Sequence, residues 1–236
     1  MTSNSIPVDV TVKDRVSLFV QSALAVHNPK RRQHSISSSQ KLTLSWLTAL
    51  RQAGTVNDSL KIKLPKLIRW ICPPLGRLKL NIDGAFKPAG SAGGGGILRD
   101  RNGDMSFAFS QAYHSLNSNL QSEALALRDG LKICCSKGIQ EVLVETDSLN
   151  LVHIISGQQT CPWDLLCILQ DVAITAQQIK AEIKHVPREA NQEANCLAGL
   201  GCSSNKLTFR DSCTILPLVV KGTYHLDKVG CPTLRL

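Results

Sequence analysis

The sequence has 236 residues and a formal net charge of +9 at pH 7, with 27 Lys and Arg against 18 Asp and Glu. Residues 1–75 hold 11 basic against 3 acidic side chains, residues 76–200 hold 11 against 13, and residues 201–236 hold 5 against 2. This distribution excludes a uniformly basic chain and favours one globular unit with cationic arms that meet polyanions. Basic flanks that are merely solvated are the alternative.

Nine cysteines are present, and no pair of them shows C-x-x-C spacing. This argues against a disulfide framework or a zinc ribbon and favours small core thiols in an intracellular compartment, nucleus or cytoplasm. The apolar run Val16–Val26 is too short to span a bilayer, so no membrane association is expected. A signal peptide there is the alternative, and it agrees poorly with the cysteine pattern.

Two short helices are predicted near the start of the chain, over Val16–Val26 and Leu42–Leu50. Between them, Lys30-Arg31-Arg32 is either a nuclear address, a phosphate contact or an ordinary solvated triplet. Pro73-Pro74-Leu75-Gly76 cannot continue a helix and breaks the chain. We therefore predict a basic N-terminal arm or linker over residues 1–70, a globular domain over 71–202 and a C-terminal extension over 203–236.

A strand with one dry face is predicted over Leu78–Phe86, because apolar and polar residues alternate there. Asp83 lies in the middle of this strand and Gly84 follows it, where backbone can approach closely. This is an unusual place for a merely solvated charge.

The glycine-rich stretch 87–96 leads into Ile97-Leu98-Arg99. It lacks the Gly-Lys-Ser/Thr ending and the following helix of a phosphate loop. We expect instead a glycine-lined strand on which the backbone of a bulky ligand lies flat. Asp100–Asp104 carries Asn-Gly and predicts a tight hairpin into a third strand at Met105–Ser110.

A helix is predicted after the capping-box pair Ser118 and Gln121, with Gly138 ending it. Glu123 precedes Leu127 by four residues, so it belongs on the face turned toward the sheet. A partner for the helix dipole is the alternative role for this glutamate.

A β-branched strand over Glu141–Thr146 ends at Asp147, which either caps the next helix or joins a site. Further helices are predicted over Ser148–Ile155, Trp163–Gln177 and Glu189–Leu200, with a strand over Lys180–His185. The order is that of an α/β fold, a mixed sheet with helices packed on it.

Asp83, Glu123 and Asp147 are all expected at one edge of this sheet. Clustered carboxylates repel unless cations lie among them, and hard oxygen ligands select Mg²⁺ or Mn²⁺. Two such ions stabilise the attacking and the leaving oxygen in phosphodiester cleavage. The pattern therefore predicts a nuclease-like site.

Residues 70–201 closely resemble the ribonuclease H type 1 domain, in the plant variety that forms the tail of retrotransposon reverse transcriptases. The matching segments, in chain order, are Trp70 with Pro74 and Gly76, residues 79–84, Gly94–Asp100 with Gly103, residues 122–127, residues 145–148 and residues 185–191. The resemblance implies a ribonuclease H-like fold with a five-stranded mixed sheet and helices on both faces. It also implies two-metal hydrolysis of the RNA strand of RNA–DNA hybrids.

The same resemblance implies roles for single residues. Asp83, Glu123 and Asp147 would be catalytic and would hold Mg²⁺, with Mn²⁺ possible, and His185 would transfer protons and assist product release. A strand-end histidine without a role is the alternative reading of His185. Contacts to the nucleic acid are expected from Gly84, Gly94, Ser118 and Asn119.

One departure from the family pattern concerns the fourth carboxylate, because Asn195 stands where the family has aspartate. An amide keeps one oxygen ligand for the metal but loses the charge. Glu193 lies about 200° away around the helix and cannot easily substitute. We therefore expect a ribonuclease of reduced activity that binds RNA–DNA hybrids or other nucleic acid, with no stable protein partner inferable. A non-catalytic nucleic-acid-binding module and a decaying transposon copy are the alternatives.

Overall fold

The computed structural model describes residues 66–88, 90–204 and 206–235. They belong to a compact unit that spans Leu64–Leu236. The strands are β1 (Lys66–Ile68), β2 (Lys79–Phe86), β3 (Ala92–Arg99), β4 (Met105–Tyr113), β5 (Leu143–Thr146), β6 (Glu182–His185), β7 (Thr208–Asp211) and β8 (Thr233–Arg235). The helices are α1 (Asn119–Ser136), α2 (Leu149–Ile155), α3 (Leu166–Gln178), α4 (Gln192–Ser203) and α5 (Leu218–Lys228), with 3-10 turns at Trp163–Leu165 and Arg188–Ala190. The two helices and the basic triplet predicted before residue 51 lie outside the described residues.

The main sheet has the strand order β6-β5-β2-β3-β4-β7. The pairs β2/β3, β3/β4 and β4/β7 are antiparallel, whereas β2/β5 and β5/β6 are parallel. The five predicted strands and their mixed pairing are therefore observed. A sixth strand, β7, comes from the segment predicted as a C-terminal extension, and β8 of the same segment pairs with β1.

Both faces of β2 are buried, so the prediction of a single dry face is wrong. Leu80 and Ile82 are fully buried under α1, and the alternate residues Lys79, Asn81 and Asp83 are at most 4% exposed. The reason is that α4 covers the second face, where the sequence pattern predicted solvent. The polar residues of β2 therefore lie in an interior network of charges.

The glycines of β3 serve helix packing, so the expectation that a ligand backbone lies against them is wrong. A Cβ at Gly93 would come within 2.3 Å of the Cys202 backbone nitrogen in α4, and one at Gly95 within 2.5 Å of Leu197 Cβ. On the other face, a Cβ at Gly94 would meet the Tyr113 ring at 2.6 Å. The sheet thus has room at this strand only for the two helices that cover it.

Several predicted turns and caps are confirmed. Ser118 Oγ accepts a hydrogen bond from the Gln121 backbone N–H at 3.2 Å, and Gly138 follows α1 with φ of +69°. In the hairpin, the Gly103 N–H donates to the Asp100 carbonyl at 3.1 Å. Two strands begin later than predicted because Glu141 and Lys180 have φ of +56° and +53°, outside the extended region.

Helix α4 begins three residues later than predicted and continues past Gly201 to Ser203. Gly201 lies inside the helix and does not end it. Its missing side chain permits close packing on the sheet. A Cβ there would lie 2.5 Å from the Gln111 carbonyl oxygen of β4. Within the part of the chain that the structure describes, no helix is long and apolar enough to cross a membrane.

Candidate active site

Three carboxylates meet at the end of the sheet where the parallel strands β2 and β5 lie side by side. Asn81 pairs with Glu145 in the register of these strands, so Asp83 and Asp147, each two residues further on, reach the same level. Helix α1 crosses β2 at Gly84, where a Cβ would lie 2.2 Å from the Glu123 backbone nitrogen. One oxygen from each of Asp83, Glu123 and Asp147 lies within 4.8 Å of the others. The predicted convergence is therefore observed.

Hydrogen bonds fix the orientation of Glu123. The Gly84 N–H donates to Glu123 Oε2 at 3.0 Å, and Asn119 Nδ2 donates to Oε1 at 3.3 Å. Gly84 thus acts through its backbone on the site, because the missing side chain lets α1 approach and its N–H holds the carboxylate. Ser118 caps α1, and Asn119 is exposed beside the site.

Asp147 is held by a residue to which the sequence analysis gave no role. Asn191 is fully buried, and its Nδ2 donates to the Ile82 carbonyl at 2.9 Å and to Asp147 Oδ1 at 3.3 Å. Its own Oδ1 accepts from Asn81 Nδ2 at 3.2 Å. Asn191 lies in the segment that resembles ribonuclease H, which was the available signal for its importance.

Burial and mutual repulsion dominate the electrostatics of the three acids. Desolvation, followed by the charges of Glu123 and Asp147, raises the pKa of Asp83 to about 9, and the positive charge of Arg188 acts in the opposite direction. Desolvation and the Asp147 charge raise the pKa of Glu123 to about 8, against the hydrogen bond from Gly84. Ionisation of Asp83 and of Glu123 is therefore unfavourable when no cation is bound.

The donor set fits a divalent metal ion. All three side chains offer hard carboxylate oxygens, which Mg²⁺ and Mn²⁺ prefer. Two of these side chains, Asp83 and Glu123, are only 4% exposed, and a cation between them would remove the repulsion that raises their pKa values. Asp83, Glu123 and Asp147 are therefore the residues that would hold such an ion.

In metal-free protein, the free energy of unfolding is expected to fall as the pH rises from about 4 to about 9. The folded-state pKa values of Asp83 and Glu123 lie above the usual values of about 4, so the folded state binds more protons in this interval. The contribution of these two carboxyls to the free energy of unfolding is complete below their pKa values in the unfolded state. It is lost as the pH rises through their pKa values in the folded state. Urea unfolding at a series of pH values in EDTA measures this dependence.

Two comparisons control that measurement. Mg²⁺ should reduce the loss of stability at high pH, since its binding replaces the protons, and Asp83→Asn should flatten the profile in EDTA. A profile in EDTA that is the same for the unaltered protein and for Asp83→Asn would contradict the coupling of these carboxyls.

A cleft of about 300 Å³ opens beside the carboxylates. Its lining residues are Asn119, Glu123, Asp147, Ser148, Leu149, Asn150 and Arg188. Arg188 Nη2 donates to Asn195 Oδ1 at 2.8 Å, so the amide at the position of the missing carboxylate holds a guanidinium. Arg188 lies in the segment that resembles ribonuclease H, but its proximity to Asn195 depends on the turn that precedes α4 and is not visible in the sequence.

The remaining predicted site residues take different places. His185 is exposed at the end of β6, where it pairs with Thr146, the residue before Asp147. Glu193 is fully buried and bonds Arg99 at 2.7 Å, in agreement with the prediction that it cannot replace the fourth carboxylate. Gly94 is buried between strands and helix and offers no surface to a ligand.

A buried network of charges supports the site from behind. Arg99 is 1% exposed and contacts Glu193, Asp227 Oδ2 at 3.1 Å and Asn81 Oδ1 at 2.8 Å. Its guanidinium also lies 4.0 Å from the centroid of the Trp70 ring. On the other side of Asn81, Glu145 bonds Asn81 Nδ2 at 3.0 Å and pairs with Lys79. Asn81 therefore connects this network to Asn191 and the carboxylate cluster.

The family described as reverse transcriptase-like matches residues 81–201, just over half of the chain. The chain belongs to the reverse transcriptase-like family. Its matched segment contains all three clustered carboxylates, Asn191 and Asn195. The resemblance to ribonuclease H and the ribonuclease H-like fold class, both expected from the sequence, are confirmed.

One curated relative of this reverse transcriptase-like chain is an Arabidopsis thaliana protein named as a ribonuclease H protein. The two are 29% identical over 196 residues, which are 80% of this chain. The chain spans 31% of the length of that relative.

Solved structures share the fold. The N-terminal RNase H domain of a Mycobacterium tuberculosis protein is 26% identical with a TM-score of 0.50, and the match covers 54% of this chain and 94% of that one. LC11-RNase H1, isolated from compost and solved in complex with an RNA/DNA hybrid, is 22% identical with a TM-score of 0.50. That match covers 53% of this chain and 96% of LC11-RNase H1, and it shows the fold alone.

Proposed function

We propose that the chain hydrolyses the RNA strand of RNA–DNA hybrids in a reaction that requires Mg²⁺, or Mn²⁺ in its place, with activity reduced by Asn195. The observation that carries the proposal is the group of three carboxylate oxygens within 4.8 Å of one another at the end of β2 and β5. The ribonuclease H-like fold supports it, as does the ribonuclease H name of a relative. Hybrid bound to LC11-RNase H1 indicates the class of substrate.

The residues of this chain have separate tasks in the proposed reaction. Asp83, Glu123 and Asp147 hold divalent cations, while the Gly84 N–H, Asn119 and Asn191 keep two of these carboxylates in place. When bound, the cations supply the positive charge that stabilises the attacking and leaving oxygens of phosphodiester cleavage. His185, exposed at the same end of the sheet, is the candidate for proton transfer.

A second candidate function is a non-catalytic module that binds nucleic acid. The observation that favours it is the hydrogen bond between Arg188 and Asn195, because a neutral amide that already accepts from a guanidinium is a poor metal ligand. Such a module would keep the fold and the cleft and would bind hybrid without cleaving it.

Cleavage of an end-labelled RNA–DNA hybrid in Mg²⁺, in Mn²⁺ and in EDTA tests the proposal. The RNA strand should be cut in either metal and not in EDTA, and Asp83→Asn should lower the rate by at least roughly 100-fold, by analogy with the loss of one electrostatic stabiliser. Asp171→Asn is the matched control, since it removes an exposed carboxylate that pairs with Lys132 on the surface.

The substrates in the same assay separate the two candidate functions. Hybrid RNA cut at equal rates by the unaltered protein and by Asp83→Asn would refute the site. Hybrid that is bound but not cut in either metal would favour the non-catalytic module. Duplex RNA and duplex DNA serve as substrates that the proposed enzyme should leave intact.

A further inference from the structure

Arg188 is the one basic side chain that lines the described cleft beside the three carboxylates. It begins the short 3-10 turn after Pro187, and its side chain is exposed. Its recorded side-chain partner is Asn195, through the 2.8 Å bond from Nη2 to Oδ1. Among residues 66–88, 90–204 and 206–235, no carboxylate forms an ion pair with it. No bonded carboxylate therefore offsets the positive charge of the guanidinium at the cleft.

The neutral amide at position 195 has a consequence for this arginine. An amide oxygen accepts one guanidinium hydrogen bond and orients the group without neutralising it. A guanidinium has five N–H donors in a rigid fork, so one bond to Asn195 leaves the others for a ligand in the cleft. Arginine forks of this kind match the geometry of phosphate oxygens.

The charges in the cleft make such a contact favourable. Asp83, Glu123 and Asp147 place up to three negative charges where a phosphodiester would have to approach. Where no metal is bound, ionised carboxylates repel a phosphate in the cleft, and a fixed cation of the protein lowers this repulsion. Arg188 is positioned to do this, since it shares the cleft with Glu123 and Asp147.

We propose that Arg188 binds a non-bridging phosphate oxygen of the nucleic-acid strand that lies in the cleft, and that Asn195 orients the guanidinium for this contact. The inference rests on the proposed function, because it takes nucleic acid as the ligand. It assigns to Asn195 a task that does not require a negative charge.

Binding of a fluorescently labelled RNA–DNA hybrid in EDTA, at several salt concentrations, tests this contact without cleavage. Arg188→Gln should weaken binding roughly 10-fold, as expected for loss of a charge-assisted hydrogen bond. It should also reduce the slope of log affinity against log salt by about one phosphate contact. Arg188→Lys should keep the slope and lose part of the affinity, because it keeps the charge without the fork.

Arg101→Gln is the matched control, since Arg101 is exposed in the β3–β4 hairpin, at the end of the sheet opposite the three carboxylates. It should leave the affinity and the slope unchanged. Equal effects of Arg188→Gln and Arg101→Gln, with hybrid binding intact, would overturn the phosphate contact alone. Absence of hybrid binding by the unaltered protein would overturn the proposed function and this inference together.

A purely structural role for Arg188 is separated by thermal unfolding. The proposed contact predicts that Arg188→Gln changes the salt slope without lowering the unfolding midpoint. Should the midpoint fall, Arg188→Lys decides the matter: a retained slope supports the phosphate contact, and a slope as low as that of Arg188→Gln contradicts it.

Discussion

Asn195→Asp is expected to raise cleavage of an RNA–DNA hybrid by roughly 30- to 1000-fold over the unaltered protein. The substitution exchanges a neutral amide for a carboxylate at nearly the same shape and adds an anionic ligand beside the carboxylate cluster. A group of this kind stabilises a transition state by about 2–4 kcal/mol, which is the basis of the expected range. Initial rates on the labelled hybrid in saturating Mg²⁺ measure the gain.

The contact between Arg188 and position 195 predicts how Asn195→Asp changes kcat and KM. A carboxylate at position 195 would pair with Arg188, which now donates to the Asn195 amide at 2.8 Å. Because that pairing neutralises the guanidinium, hybrid binding in EDTA should weaken while turnover rises. We therefore expect the gain in kcat, with an increase in KM that offsets part of it in kcat/KM.

Asn150→Asp is the matched control, because Asn150 lines the same cleft and its substitution adds the same charge at a different point. It should not raise the rate, and Asp83→Asn should remove cleavage in every background. A high rate in the unaltered protein without further gain would show that the fourth carboxylate is dispensable. If neither protein cuts hybrid that both bind, the non-catalytic module is the better interpretation.

Arg99→Met is expected to destabilise the fold by about 3–5 kcal/mol, the cost of breaking a buried ion pair by removing one partner. Arg99 is 1% exposed and faces Glu193, which is fully buried, and Asp227, which is 9% exposed. Its loss would leave the Glu193 carboxylate without a counter-charge in the interior. Urea unfolding monitored by tryptophan fluorescence measures the change, since Trp70 packs on the guanidinium.

Lys132→Met is the control for Arg99→Met, since Lys132 and Asp171 form an ion pair of similar length, 2.7 Å, at the exposed surface. Its removal should leave the unfolding midpoint nearly unchanged, because water screens such pairs. A small effect of Arg99→Met, comparable to that of the control, would show that the buried charges are satisfied in another way.

The two carboxyls that face Arg99 differ in their electrostatic environment. Burial, together with the hydrogen bond and charge of Glu193, raises the pKa of Asp227 to about 8, against the effect of Arg99. Ionisation of Asp227 is therefore disfavoured near neutral pH, and Glu193 is the main counter-charge of Arg99. This arrangement costs less than two carboxylates ionised beside a single guanidinium.

Local patterns were sufficient to predict the three carboxylates. Asp83 interrupts a strand next to a glycine, Glu123 lies on the inner face of a capped helix, and Asp147 ends a strand, so each position follows from its own neighbours in sequence. Their convergence needed only the expectation that the strands share one sheet. The order of strands and helices along the chain and the hairpin followed from the same local signals.

The remaining features depend on pairings distant in the chain. Arg99 and Asp227 are separated by 128 positions and Asn81 and Asn191 by 110, so no local period reveals that they touch. The glycines of β3 show why composition alone misleads: a strand without side chains admits a ligand or a helix equally well, and here α4 fills the space. The same helix covers the face of β2 that carries Lys79, Asn81 and Asp83, so the local alternation could not reveal their burial.

The strands at the two borders of the sheet are short and leave little open edge for self-association. β6 and β7 are four residues each, and they carry charged side chains such as Lys184 and Arg210. Short, charged borders give a strand of another molecule little to pair with. A chain shortened after α4 would lose β7 and expose the ladder of Phe107–Ser110, which contains two buried phenylalanines. The C-terminal segment therefore covers an edge of β4 that would otherwise be open to pairing with another molecule.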